Sequence, residues 1–436
     1  MTITDELWER WGRLTIDDVP DEVAVLARQC VLDWFGCALA GRAEPLAGIL
    51  RAELGTIAGR STVLGQSARC AAGQAAMING AIGHALDYDD THTTMGGHPT
   101  VPLLPAALAL AEDLDATGAE LLAAFVAGFE VECCLGVALG GRPYANGWHT
   151  TSVIGVFGAA AACARLLGLD CEQFGHALGI AASQASGLKA NFGTMTKPLH
   201  AGQAAERGVL AARLAQRGFT ADPDAFESNQ GLVQATGSPG VQRDRLDGVA
   251  DEWLIRRTLF KYHAACYLTH AAIESAAALR PRLDAGDVER VKLVVKPSIL
   301  DVCGIPEPTT GLEAKFSLRA TTAMALLGDD TSDPEAFSDA RARSEEVQEL
   351  LARVEVTTDD ALRQTESIVR VHASGASHEA RHDSGIPATD LDAQGRRLRA
   401  KFDALAVPVL GSGAKALADR IDTLDQLPHA TDLAHF

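Results

Sequence analysis

Between Asp21 and about Gln216 the chain is a near-continuous series of apolar stretches with helical spacing, and this restricts the fold more than any other feature. Val23, Leu26, Ala27, Cys30, Val31 and Phe35 recur at three- and four-residue intervals before Gly41, the period of one helix face. Ala72–Leu86, Pro102–Leu114, Gly118–Leu139, Thr151–Leu167 and Cys171–Ser183 repeat the theme, mostly divided by Gly or Asp. Several are apolar on nearly every side, as helices inside a bundle are. Hydrophobic residues make up 47% of the chain but aromatics only 5%, and there are 41 glycines. Contacts between these helices must therefore rely on small side chains.

The texture changes after about Arg257. Val288–Lys296 (VERVKLVVK) alternates and is rich in β-branched residues, the signature of a strand. Val354–Thr357 and Ser367–His372 are further strands, and His378–His382 returns as a hairpin partner after the small-residue turn Ala373–Ser377. Ala314–Leu327 and Pro334–Val354 read as helices between them, and from Gln394 the helical pattern resumes around KFDALAVPVL. The expectation is a mainly α protein: a large all-helical domain from residues 1–257 and 395–436, with a smaller α+β lid domain at 258–394.

The formal net charge of the 436 residues is −19, from 38 Lys+Arg against 57 Asp+Glu. So acidic a surface argues against nucleic acid and anionic membranes. An anionic substrate would need a local cluster of Lys, Arg or His. Nine cysteines, odd in number and without a CxxC pair, sit mostly among apolar residues. They read as buried thiols in a reducing compartment rather than a disulfide framework or zinc site. MTITDELWERWGRL lacks the basic start and apolar core of a signal peptide. No apolar run of about 18 residues is uninterrupted by charge or repeated Gly. A cytoplasmic protein without a membrane span is expected.

Four clusters carry residues capable of chemistry. HALDYDDTHTTMGGH places His84, Asp87, Asp89, Asp90, His92 and His98 within 15 residues, denser than a solvated loop requires. If the preceding helix continues, Asp87 and Thr91 share a face. A helix end with charged caps is the bland alternative. A metal site or a magnesium-binding prenyl-diphosphate motif would be others, but an HExxH spacing and a second aspartate-rich helix are both missing. YANGWHTTS, from Tyr144 to Ser152, puts His149 at a helix start with Thr or Ser as cap. Helix N-termini favour anions. GTMTKPLHAG, from Gly193, sets Lys197 just ahead of a helix Leu199–Gln216 opened by Pro198, with His200 in its first turn. Lys197 suits a carboxylate ligand or a base; GxxxxGK[ST] is absent. FKYHAACYLTHA, from Phe260, brings Lys261, His263, Cys266 and His270 to the junction between domains, where clefts form. Cys266 near a histidine raises a thiol nucleophile, but nothing else resembles a cysteine hydrolase.

Taken in order, these segments resemble the MmgE/PrpD family. GHALDYDDTH, GHPTVPLLPAALALAE, WHTTSVIGVFGAAAACARLLGLD, ALGIAASQASGL, GTMTKPLHAGQAA, FKYHAACYLTHAAI, EAKFSL and KFDALAVPVLG carry the resemblance, from about residue 20 to 411. It implies a helical domain with an α+β lid, a site between them, a homodimer, and neither metal nor organic cofactor. The activities of that family are dehydration of 2-methylcitrate, decarboxylation of cis-aconitate and epimerisation of iminodisuccinate. The site residues implied are Asp87, Thr91, His98, His149, Lys197 and Lys261, and the surrounding clusters add Tyr144, His200 and Cys266.

Three departures from the family pattern are visible. The decarboxylases carry a histidine where Cys266 stands, many relatives an aromatic where Ala320 stands, and Pro is frequent at Thr150. The first two reshape the lid side and count against an itaconate-type decarboxylation. The expected function is cofactor-independent acid–base chemistry beside a carboxylate of a small di- or tricarboxylate. A lyase comes first, as a dehydratase or decarboxylase, then an epimerase, then a non-catalytic binder on the same fold. Lys197 and Lys261 would hold substrate carboxylates and stabilise an enolate-like state. His149 or His98 would move the proton, with Asp87 and Thr91 orienting them.

Overall fold

The computed structural model describes residues 2–55, 57–67 and 69–434. The chain divides into two compact units, one up to Phe260 with a return from Ala388, the other Lys261–Pro387.

The first unit is helical. Its long members are Asp21–Gly41, Ala72–Gly83, Thr100–Leu114, Gly118–Leu139, Gly155–Leu166, Cys171–Gln184, Thr196–Gln216 and, after the return, Leu391–Leu410. Capping explains several boundaries. Thr117 with Glu120, and Asp170 with Gln173, form reciprocal capping boxes. Asp115 and Gly140 end their helices in the left-handed conformation. Gly118–Leu139 is long and apolar enough to cross a bilayer, yet the apolar window is wholly buried inside the unit. It is a core helix. The expected small-residue contacts are present: a Cβ on Gly128 would lie 2.5 Å from the Gly158 carbonyl oxygen, and one on Gly208 would lie 2.4 Å from the Ala159 Cβ.

Two sequence expectations need correction here. The stretch expected as one helix, Thr151–Leu167, is two, Thr150–Val153 and Gly155–Leu166, with His149 rather than a Thr or Ser at the cap position. The helix beginning near Lys197 starts earlier, at Thr196, so Lys197 lies in its first turn and not ahead of it.

The second unit builds a four-stranded sheet in the order Val354–Thr358, Val288–Val295, Glu366–Ala373, Ala376–Asp383. The first pair is parallel, and the other two are antiparallel. Val291, Leu293, Val295, Val369 and Val371 are buried, as alternation requires. The hairpin turn is tighter than expected: Ala373 pairs with Ala376 across Ser374 and Gly375, both at positive φ, the signature of a two-residue type I′ connection. The helix Tyr267–Leu279 packs on the two hairpin strands. The region expected as one helix, Pro334–Val354, is three short pieces, Pro334–Phe337, Asp339–Ala342 and Glu345–Ala352.

Candidate active site

The first cluster starts where the Ala72–Gly83 helix stops. His84 caps it, and the Asp87 N–H returns to the His84 carbonyl at 3.1 Å. Asp87 then adopts φ +51, a left-handed turn that Asp tolerates better than most residues. The helix therefore does not continue, and Asp87 and Thr91 do not share a helical face. Beyond the turn, Tyr88, Asp89 and Asp90 are buried. Asp90 accepts from the hydroxyl of Thr100, the first residue of the next helix, at 2.5 Å. Burial pushes the Asp90 carboxyl up to about 8 against the pull of Thr100, with Asp33 and Asp89 adding to the rise. The Thr91 backbone pairs with Leu259, and its hydroxyl donates to the Gly97 carbonyl at 3.2 Å.

Asp89 lies at the centre of the site. Both its oxygens reach His84 Nδ1, at 2.9 and 3.0 Å, and Oδ2 lies 3.2 Å from His98 Nδ1. Burial alone would raise this carboxyl, but the two imidazoles outweigh it and hold it far below the ordinary range. His84 is 1% exposed, and burial lowers it to about 4, with Asp89 opposing. The neutral ring therefore donates Nδ1–H to Asp89. His84 Nε2 has no hydrogen-bond partner among the described residues.

Lys197 comes from the Thr196–Gln216 helix and places its Nζ 2.9 Å from Asp87 Oδ1 and over the Phe192 ring. Asp87 Oδ1 is also 3.5 Å from His98 Nε2. His149 completes the group: its ring stacks on His84 at 5.7 Å, meets Phe192 edge-on at 5.0 Å, and its Nδ1 is 3.2 Å from His200 Nδ1. That contact requires one ring to donate and the other to accept. Burial depresses His149 strongly, and the neighbouring His84, Lys197, His98 and His200 push the same way. His200 is lowered by burial, then by Arg207 and Lys197. Gly187 backs this wall at φ +118, its carbonyl accepting the His149 N–H at 2.9 Å. A Cβ there would lie 3.4 Å from the His149 Cβ and 3.2 Å from the Ser152 Cβ.

Asp87, His98, His149, Lys197 and His200, read from three separate sequence clusters, thus converge in the first unit. Tyr144 is engaged elsewhere: its ring lies 3.6 Å from the Lys189 Nζ. Lys261 and Cys266 belong to the second unit. Lys261 is 2% exposed there and its charge acts on His270; Cys266 caps the Tyr267–Leu279 helix. The sequence reading listed Asp89 and His84 in the first cluster without giving either a role in the chemistry. Their five-residue separation at a helix end was the available signal, but it does not show that one carboxylate faces two imidazoles.

The ligand atoms of His84, Asp87, Asp89 and His98 lie within 4.8 Å of one another, close enough to surround a divalent ion. Lys197 already supplies a cation at Asp87, and that ammonium opposes a second one. Among the ionisable side chains of the group, partial exposure is found at Asp87 (28%), Lys197 (16%) and His98 (12%), while His84, Asp89, His149 and His200 are buried. The arrangement offers an ammonium for an anionic ligand, imidazoles able to exchange a proton, and a buried carboxylate fixing their orientation.

Comparison with known proteins identifies the family. A model of the MmgE/PrpD N-terminal domain matches residues 7–243, and one of the MmgE/PrpD C-terminal domain matches residues 263–426. A human protein named cis-aconitate decarboxylase is 32% identical over 377 residues, covering 81% of this chain and 76% of the relative. An Aspergillus terreus protein of the same name is 28% identical, covering 74% of this chain and 72% of its own. A mouse protein of that name is 33% identical over 300 residues, covering 65% and 60%. The chain belongs to the MmgE/PrpD family.

Proposed function

We propose that the protein is a lyase that removes CO₂ from a small tricarboxylate of the cis-aconitate kind. The observation that carries this reading is the convergence of Lys197, Asp87, His98 and His149 on one site, in a chain whose relatives bear the name cis-aconitate decarboxylase. Loss of CO₂ breaks a carbon–carboxylate bond and leaves its electron pair on carbon. That pair must be delocalised and then quenched by a proton. Lys197 stabilises the developing negative charge, and an imidazole, His98 or His149, gives the proton and regains one from solvent.

Cys266 favours a second reading. The resemblance places a histidine there in decarboxylases, so dehydration of 2-methylcitrate or epimerisation of iminodisuccinate on the same helical wall is the rival. Incubation of the purified protein with each acid in D₂O, followed by ¹³C NMR, separates the readings. The expected result is release of CO₂ from cis-aconitate with one deuterium on the product. No CO₂ from cis-aconitate, with turnover of either other acid, overturns it. Lys197→Ala and His149→Ala should each lower kcat by at least about 100-fold, the scale of an acid–base group. Near-wild-type turnover in both folded variants would remove these residues from the mechanism.

A further inference from the structure

We propose that Asp89 is the positioning residue of this site: its carboxylate, shared between His84 Nδ1 and His98 Nδ1, fixes both rings as Nδ1–H tautomers and so presents His98 Nε2 as the nitrogen that exchanges the proton with substrate. The inference rests on the proposed acid–base reading only for its activity arm.

The geometry leaves little freedom. Asp89 is wholly buried, and its oxygens meet His84 Nδ1 at 2.9 and 3.0 Å and His98 Nδ1 at 3.2 Å. An ionised carboxylate only accepts hydrogen bonds, so His84 Nδ1 carries its proton, and on His98 the proton is favoured at Nδ1, which lies closer to its carboxylate than Nε2 does and faces one that no ammonium contacts. His98 Nδ1 is buried and makes no hydrogen bond among the described residues, and Asp89 Oδ2 at 3.2 Å is the carboxylate oxygen it lies against. The other nitrogen, Nε2, lies 3.5 Å from Asp87 Oδ1, the oxygen that Lys197 also contacts. In the proton transfer, the Nε2 lone pair takes a proton from substrate, or Nε2–H returns one, while Nδ1–H stays on Asp89. The charge on Asp89 balances the imidazolium form and stays in place through the cycle. His84 holds Asp89 from behind. Its ring meets His98 at 4.7 Å edge-on and His149 at 5.7 Å stacked, so it also sets the two rings against each other. Asp33 and Lys401 form the charged pair on the far side, with Lys197 and Asp87 on the exposed side.

Two measurements test this. The first uses free protein carrying ¹⁵N-histidine: ring shifts should report His98 and His84 as Nδ1–H in the wild type, with His98 changing to Nε2–H in Asp89→Asn. A wild-type His98 already protonated at Nε2 overturns the proposal, and no substrate enters this readout. The second is kinetic. Asp89→Asn should lower kcat at least about 100-fold with KM changed less than about threefold, the pattern of a misplaced acid–base group. His84→Phe, which removes the N–H that holds Asp89, should also lose activity. His84→Asn restores a donor near the Nδ1 position and should recover at least about tenfold over His84→Phe. A folded Asp89→Asn with wild-type kcat, or no recovery in His84→Asn, rejects the positioning role. If Asp89→Asn does not fold, the wild-type tautomers and the His84 pair decide. Should cis-aconitate prove not to be a substrate while the tautomers are as stated, the proposed reaction fails and the positioning of His98 stands.

Discussion

His92 and His84 are eight residues apart in one sequence cluster, yet they do different work. His92 Nε2–H donates to the Leu254 carbonyl at 2.9 Å, and its Nδ1 accepts the Met95 N–H at 3.0 Å. Both ring nitrogens are committed to backbone, so His92 ties the loop before His98 and takes no part in chemistry. A second ring proton would point Nδ1–H at the Met95 N–H. Burial holds His92 down to about 4, with the Leu254 bond opposing. The folded value lies below the unfolded one, so the stability from neutral His92 is complete above about pH 6.5 and is lost as pH falls through about 4. The full effect is roughly 3 kcal/mol at about 1.4 kcal/mol per pH unit. Urea unfolding at pH 7 and pH 5 should therefore show a smaller acid loss for His92→Gln than for the wild type. Equal losses would show that His92 titrates alike in both states. Sequence alone could not separate these histidines, because their difference lies in partners such as Asp89 and Leu254. Residue type and density pointed to the right segment; three-dimensional pairing assigned the roles.

At the scale of elements, the site depends on two helices that meet through glycines. The Ala72–Gly83 helix ends at His84, and the Thr196–Gln216 helix carries Lys197 in its first turn. Where they pack, a Cβ on Gly202 would lie 2.2 Å from the Met77 carbonyl oxygen, and one on Gly80 would lie 2.8 Å from the Gly202 Cα. The missing side chains set the separation of the helices, and hence the 2.9 Å contact of Lys197 with Asp87. Gly202→Ala should cost about 1–3 kcal/mol by overpacking and should lower kcat/KM by at least tenfold, as small misplacements do. Gly73→Ala on the first helix is the control: its Cβ would meet only Glu206 Cγ at 3.7 Å, so it should be neutral or slightly stabilising. If both variants behave alike in melting and turnover, the glycine contact does not govern the site. The sequence showed the Ala- and Gly-rich texture that such packing needs. It could not say which glycines face each other, because that depends on helix phase and partner. The interruption near Ile154 was equally hidden: there a Cβ on Gly155 would lie 2.3 Å from the Pro102 Cγ, a tertiary constraint on a segment whose local pattern is continuous.

At the scale of the molecule, the chain's return completes the helical unit. Lys401, in the Leu391–Leu410 helix, reaches Asp33 at 2.6 Å and the Tyr88 carbonyl at 2.7 Å, in the turn that presents Asp87 and Asp89. Burial disfavours the Lys401 ammonium, but the Asp33 charge outweighs it and keeps the lysine protonated. The KFDALAVPVL motif was legible as helix, whereas its pairing with a residue 368 positions earlier was not. Charge has a further consequence at this scale. The net charge of −19 surrounds a site whose proposed substrate is itself a polyanion. Long-range repulsion then opposes approach, while Lys197 attracts only at contact. Screening lengths fall from about 30 Å at 0.01 M salt to about 8 Å at 0.15 M. Added potassium chloride should therefore relieve the repulsion before it weakens contact with Lys197. Over that range kcat/KM for cis-aconitate should rise, by about two- to tenfold, with kcat nearly constant. A fall in kcat/KM would show instead that a cationic field around Lys197 dominates association, and that the acidic surface does not govern substrate capture.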